Sequence, residues 1–229
     1  PTRRSSDLEK RIFYWNSCNM ISLFALKRGA LELMEYKKAD YYYRFSRPEI
    51  QSLVPPEAQS ILDIGCGTGA VGKILKDRQH CRVVGIEMSK SAAREAQKNL
   101  DRVIAGNIEE YVTLLQLQGE SFDCIILGDV LEHLKEPEQL IKQLKRFLDP
   151  NGCIVLSIPN VGHWSVLQGL LAGEWQYTDA GLLDKTHLRF FTRKSTIRLL
   201  TDSEYELSEL KGVMISNEEF SNGIGEIAN

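Results

Sequence analysis

The segment Ile61-Leu62-Asp63-Ile64-Gly65-Cys66-Gly67-Thr68-Gly69 constrains this chain more than any other. A short buried strand empties into three glycines spaced two apart, and an amphipathic stretch from Ala70 to Arg78 follows. Glycines free the loop of Cβ atoms, so its backbone can approach a ligand closely. A strand, a glycine loop and a helix in that order open an α/β sheet of the kind that binds ligands beyond the carboxyl ends of its strands.

The rest of the chain repeats the alternation. Strands are expected at Cys81–Glu87, Val103–Ala105, Phe122–Gly128 and Cys153–Ile158. Between them, helices are expected from Ser89 to Asn99, from Ile108 to Gln118, and from Pro137 to Leu148 with proline at the start. Asp149-Pro150-Asn151-Gly152 reads as a turn. The strands are runs of Ile, Val and Leu without polar alternation, which means burial on both faces of a parallel sheet. The fold class is therefore α/β: a Rossmann-like, doubly wound, mostly parallel sheet flanked by helices and joined by right-handed crossovers. At 229 residues, one such domain fits and two do not.

Glu87 ends the second strand about twenty residues after the loop, where an acidic side chain can accept hydrogen bonds from two ribose hydroxyls. Alone, these features fit a dinucleotide or an adenosyl cofactor equally, and Gly67-Thr68-Gly69-Ala70-Val71-Gly72 even satisfies G-x-G-x-x-G. Asp63 tips the balance. The form D-x-G-x-G-x-G resembles motif I of class I S-adenosylmethionine-dependent methyltransferases. Ala105-Gly106-Asn107-Ile108-Glu109 resembles that family's adenine-contacting segment, with Asn107 where the family usually has Asp. Gly128-Asp129-Val130-Leu131-Glu132-His133-Leu134 resembles motif IV with its L-E-H-L ending. The resemblance runs from about Tyr41 to Tyr205. It implies S-adenosylmethionine as cofactor, held by Asp63, Gly65, Cys66, Gly67, Gly69, Glu87, Met88, Asn107, Ile108, Gly128 and Asp129. It further implies methyl transfer by in-line displacement, which chiefly requires alignment of the acceptor and exclusion of water. Two other readings stand beside it: a non-catalytic adenosyl-binding module of a larger biosynthetic protein, and an NAD-dependent oxidoreductase domain.

Three histidines follow strand ends on the expected active face, and a histidine near neutral pH suits removal of a hydroxyl proton. His133, His163 and His187 are therefore the candidate catalytic residues. The sequence does not rank them, and each has a structural alternative. Pro159-Asn160-Val161-Gly162-His163-Trp164 and Leu182-Leu183-Asp184-Lys185-Thr186-His187-Leu188-Arg189-Phe190-Phe191-Thr192 resemble a bacterial subgroup found near, or fused to, glycosyltransferases. That resemblance implies a saccharide-linked, cell-envelope-related or other small-molecule acceptor. Asn160, Trp164, Asp184 and Arg189 are the candidate substrate contacts, with Asp184 and Arg189 alternatively paired to each other. Residues 160–190 form an insert whose Trp164, Trp175 and Tyr177 could stack on an acceptor or pack as core.

The net charge of -3 and the absence of a basic stripe argue against a nucleic-acid partner. Five cysteines, an odd number without a C-x-x-C pair, read as buried thiols in a reducing cytoplasm. No Cys/His group has ligand spacing, so no metal is expected. No apolar run is long enough to span a bilayer. The first eight residues resemble a translated sequencing adapter and are set aside. Residues 9–40 are expected to be an N-terminal extension or helix, with Ile21, Phe24, Ala25, Leu31 and Met34 on one face. The methyltransferase-like domain is expected over 41–215, with Tyr41, Tyr42, Tyr43 and Phe45 as a lid or as sheet-edge packing. Residues 216–229 read as a truncated tail, so the last antiparallel edge strand is expected to be missing.

Overall fold

The computed structural model describes the backbone of residues 11–16 and the whole of residues 46–212. The expected helical face from Ile21 to Met34, the 41–45 segment expected as a lid or as sheet-edge packing, and the tail 216–229 lie outside these residues. Seven strands form one sheet: β1 (Arg11–Asn16), β2 (Ser60–Ile64), β3 (Arg82–Glu87), β4 (Arg102–Ala105), β5 (Phe122–Gly128), β6 (Leu148–Ser157) and β7 (Glu206–Gly212). Their order is β4-β3-β2-β5-β6-β1-β7. Among the described residues the α-helices are α1 (Pro48–Leu53), α2 (Ala70–Gln79), α3 (Lys90–Ala96), α4 (Tyr111–Leu115), α5 (Pro137–Leu144), α6 (Trp164–Leu171) and α7 (Arg193–Asp202). This is the Rossmann-like arrangement of a parallel sheet flanked by helices.

Every registered strand pair is parallel. The sheet is thus the expected parallel, helix-flanked one, and among the described residues no registered pair is antiparallel. Among the described residues, the place between β6 and β7 is taken by β1, which runs parallel to both. Here Arg11–Asn16 form a strand, where the sequence reading expects an extension or helix.

Side chains alternate across the pleat, and both faces are apolar. Leu62, Val84, Ile125 and Ile154 point to one face, where they join Leu140, Ile141 and Leu144 of α5 and Leu199 and Leu200 of α7. Ile61, Val83, Cys124 and Val155 point to the other, against Ile50 of α1, Leu75 of α2 and Ala96. Each fully buried aliphatic side chain contributes about 1.5–3 kcal/mol, so two continuous cores hold the sheet between them. Cys66, Cys81, Cys124 and Cys153 are all buried free thiols.

Two local expectations shift. The helix expected over 108–118 is regular only over Tyr111–Leu115, where Thr113 and Leu114 are buried while Tyr111 and Val112 face outward. The expected turn Asp149–Gly152 lies inside β6. Phe122 pairs with Leu148 and Cys124 with Cys153, so those four residues bulge out opposite one residue of β5. At the start of α7, Thr192 and Ser195 form a reciprocal capping box. Ile125→Ala, at the centre of the sheet, is expected to cost about 2–5 kcal/mol, and Thr192→Ala about 1 kcal/mol. Urea unfolding of both variants beside the parent chain checks the two values.

Candidate active site

The glycine loop is built from backbone that only glycine adopts without strain. Gly65 and Gly69 have φ of +73° and +78°, and a Cβ on Gly65 would lie 2.8 Å from Val130 Cγ2. The loop is fastened to β3. Gly65 and Cys66 donate their N–H groups to the Ile86 carbonyl at 2.8 and 3.1 Å. The Glu87 carboxylate accepts the Gly67 N–H at 2.9 Å and the Ser89 N–H at 2.7 Å. Burial raises the Glu87 pKa, against the opposing pull of these backbone donors.

Asp63, at the end of β2, is 3% exposed, and its Oδ2 has no hydrogen-bond partner. Burial first, and the nearby Glu87 charge second, push its pKa from 3.8 to about 7, while the Arg47 charge works in the opposite direction. Two carboxylates thus share a dry pocket beneath the glycine loop, and one oxygen lacks a donor. A ligand that brings ammonium or hydroxyl donors to this pocket meets that need. Met88, beside Glu87, is 71% exposed and offers an apolar surface at the same edge. Asn107 spends its side-chain oxygen on the Glu109 N–H at 3.0 Å. Cys66 and Ile108, expected at the cofactor, have their side chains in the two apolar cores.

At the ends of β5 and β6 lies a polar cluster of which only Asp129 is legible in the sequence. Arg47 donates to Asp129 Oδ2 from both Nη1 (2.8 Å) and Nη2 (2.6 Å), and from Nη2 to Ser157 Oγ at 3.1 Å. Ser157 Oγ also donates to Asp129 Oδ1. Asp129 and Arg47 have φ of +52° and +51°, a left-handed backbone that costs a non-glycine residue roughly 1–2 kcal/mol. The ion pair joins the strained residue that follows β5 to the strained residue that precedes α1. Gly128 leaves the room: a Cβ there would lie 3.3 Å from Arg47 Nη2 and 2.9 Å from Ile50 Cδ1.

The three histidines separate by tautomer. A backbone carbonyl only accepts, so a ring nitrogen bonded to one carries the proton. His133 Nδ1 lies 3.1 Å from the Thr186 carbonyl, and His187 Nδ1 lies 3.3 Å from the Leu182 carbonyl. Both rings therefore put their lone pair on Nε2. They meet edge to face with centroids 4.8 Å apart. His163 is the reverse. Its Nδ1 accepts the Ser165 N–H at 3.3 Å and caps α6, so its lone pair is used in the cap.

The insert, residues 160–190 between β6 and α7, is tied to the turn after β5 by the Leu188 and Arg189 N–H groups on the Glu132 carbonyl. Its entry and exit meet at the bridge between Asn160 and Phe191, and Asn160 Oδ1 accepts the Gly162 N–H at 2.9 Å. Asp184 is buried and accepts the Thr186 N–H and hydroxyl, each at 2.7 Å. Arg189 is exposed and donates to the Lys135 carbonyl. It lines a surface groove of about 240 Å³ with Glu138, Lys142, Ser195 and Arg198. Trp164 is 64% exposed. Trp175, Tyr177 and Phe190 form a ring cluster that reaches His187 through Phe190 at 6.2 Å.

The raised Asp63 pKa sets a pH dependence. Between about pH 4 and pH 7 the folded ligand-free chain holds a proton that the unfolded chain has released, so stability falls as pH rises through that window. Asp63→Asn is expected to remove this fall, and Arg47→Gln to move its midpoint upward by withdrawing a neighbouring positive charge. Urea midpoints for the three proteins from pH 4 to 8 check both; parallel curves for parent and Asp63→Asn would contradict the assignment.

Known proteins agree with this geometry. A family model described as a methyltransferase domain matches residues 32–210. The ubiquinone biosynthesis O-methyltransferase of Rickettsia typhi is 30% identical over 165 residues, which cover 68% of this chain and 63% of that protein. The chain therefore spans less than two thirds of that relative's length. Malonyl-[acyl-carrier protein] O-methyltransferase of Halalkalibacterium halodurans is 32% identical over 107 residues, covering 44% of this chain and 39% of that one. Two solved structures share the fold. A methyltransferase of Thermotoga maritima, described as a possible histamine N-methyltransferase, has a TM-score of 0.54, 23% identity and 72% coverage of each chain. Magnesium protoporphyrin IX methyltransferase of Synechocystis PCC 6803, with bound S-adenosylhomocysteine, has a TM-score of 0.51, 18% identity, and coverage of 71% of this chain and 72% of that one. The dinucleotide reading therefore falls: the chain belongs to the class I S-adenosylmethionine-dependent methyltransferases, with S-adenosylmethionine as its cofactor.

Proposed function

We propose that this methyltransferase methylates a hydroxyl oxygen on a small-molecule acceptor that carries a planar or apolar part. The observation that carries this reading is the pair His133 and His187, whose Nε2 lone pairs lie just beyond the carboxyl end of β5. Val130, between them and that strand end, touches the glycine loop at Gly65. The likeness to O-methyltransferases supports an oxygen acceptor. The exposed rings of Trp164, Trp175 and Tyr177 support a flat or apolar acceptor surface.

Bound S-adenosylmethionine supplies a methyl group already activated by its sulfonium. The chain's own residues then have three tasks. Asp63, Glu87 and the glycine loop hold the donor, with Asp63 ionised against its positive charge. Arg47, Asp129 and Ser157 fix the mouth between the donor pocket and the insert. The Glu132–His133–His187 cluster lowers the cost of removing the acceptor's proton, after which the oxygen attacks in line. His163, with its lone pair in the α6 cap, orients Trp164 and the insert.

A second reading, a saccharide-linked acceptor within cell-envelope biosynthesis, draws on the same exposed ring faces and on the P-N-x-x-H-W and L-L-D-x-T-H-L-R-F-F-T segments. Association with a glycosyltransferase belongs to that reading. One assay separates the two: release of S-adenosylhomocysteine, followed by mass spectrometry, with phenolic and catechol acceptors in one set and sugar nucleotides and glycosides in the other. Turnover with the first set is expected. His133→Ala and His187→Ala are each expected to lower kcat by about 10²–10⁴-fold while S-adenosylhomocysteine affinity stays the same. Cofactor binding without turnover in either set would instead favour a non-catalytic adenosyl-binding module.

A further inference from the structure

We propose that Glu132, His133 and His187 form a binding site for one divalent transition-metal ion, best suited to zinc, in the acceptor half of the active site. One ligand atom from each residue lies within 4.8 Å of the other two. Glu132 and His133 come from the 3₁₀ turn Leu131–His133 after β5, and His187 comes from the insert. No spacing in the sequence reveals the group, because its third member is 54 positions away from the second.

Three features make this a built site. First, both imidazoles are fixed in the tautomer a metal needs. Each Nδ1–H is directed at a backbone carbonyl, Thr186 for His133 and Leu182 for His187, the outer-shell arrangement that orients metal-ligating histidines. Second, the Glu132 side chain is 1% exposed and lies 4.0 Å from His187 Nε2. That separation is too long for a hydrogen bond. It is within the span that two metal–ligand bonds of about 2.0–2.2 Å can bridge. A carboxylate in so dry a place is stabilised by a cation among it and its neighbours. Third, the two segments are pinned together, since the Glu132 carbonyl accepts the Leu188 and Arg189 N–H groups at 2.8 and 3.0 Å. Tetrahedral coordination places donors roughly 3.3 Å apart, so closure on an ion takes only small side-chain rotations.

Two imidazoles and one carboxylate suit zinc and its transition-metal neighbours, whereas magnesium prefers an all-oxygen shell. Three protein ligands leave a coordination position open, as in catalytic rather than structural zinc sites. The role in catalysis rests on the O-methylation reading. The acceptor hydroxyl takes the open position, and its O–H proton is released to solvent water. The metal-held oxygen then forms the O–CH₃ bond as the C–S bond breaks, leaving neutral S-adenosylhomocysteine. The histidines then serve as ligands, and the metal-lowered acidity of the hydroxyl replaces a protein base.

The test uses the full chain, stripped by a chelator and titrated with ZnCl₂ against a chromogenic competitor, without cofactor. One zinc per chain is expected, unaffected by millimolar MgCl₂. His133→Ala, His187→Ala and Glu132→Gln should each weaken binding by more than about 100-fold, beyond the loss caused by removing an outer-shell partner. His80→Asn, an exposed histidine outside the cluster, should bind as the parent does. If Glu132→Gln fails to fold, the half-exposed His133 decides the matter: Co²⁺ added to the parent should give visible d–d bands that His133→Ala lacks while its far-ultraviolet circular dichroism stays native. Absence of one-to-one zinc binding, or equal binding by His133→Ala, overturns the proposal. S-adenosylhomocysteine titration of the same samples keeps the two readings apart. Cofactor binding without zinc binding removes only the metal site, and zinc binding without cofactor binding removes only the methyl-transfer role.

Discussion

The Glu87 carboxylate is the constraint on which the active site depends. It accepts N–H groups from the first strand crossover at Gly67 and from the second at Ser89. One buried charge therefore sets the distance between the glycine loop and the start of α3. The arrangement depends on the loop glycines, whose left-handed backbone turns the Gly67 N–H to Glu87 while Gly65 and Cys66 donate to the Ile86 carbonyl. Asp63 lies in the same dry region, where burial and the Glu87 charge raise its cost of ionisation. The donor pocket is thus short of positive charge by construction, which suits a ligand that carries both an ammonium and a sulfonium.

The sequence reveals whatever depends on neighbours along the chain. The strand-loop-helix pattern is legible because hydrophobic runs mark the strand ends near which Asp63, Gly65 and Glu87 stand. The two cores are legible for the same reason, since uninterrupted runs of Ile, Val and Leu require apolar cover on both faces. The Arg47–Asp129–Ser157 cluster is not legible, because its members are 82 and 28 positions apart and meet only when α1 docks against the ends of β5 and β6. The order of the histidines is hidden too. It depends on which backbone carbonyl faces each Nδ1, and only the folded insert decides that. The Asp149–Gly152 segment misleads in an instructive way: its composition is that of a turn, and the sheet absorbs it as a bulge without changing strand direction.

The insert has a consequence for how proteins of this shape diversify. Its two ends are clamped together by the Asn160–Phe191 bridge and by a Val161 N–H to Phe191 carbonyl bond of 2.9 Å. The thirty residues between them leave and re-enter the domain at nearly one point. A segment closed in this way adds little chain entropy to the fold whatever its length, since closure cost grows only logarithmically with loop size. Its content can therefore be rewritten while the sheet and donor pocket stay as they are. The segment is an exchangeable cap: one ancestral donor site can be fitted to successive acceptors by replacing a single stretch of chain.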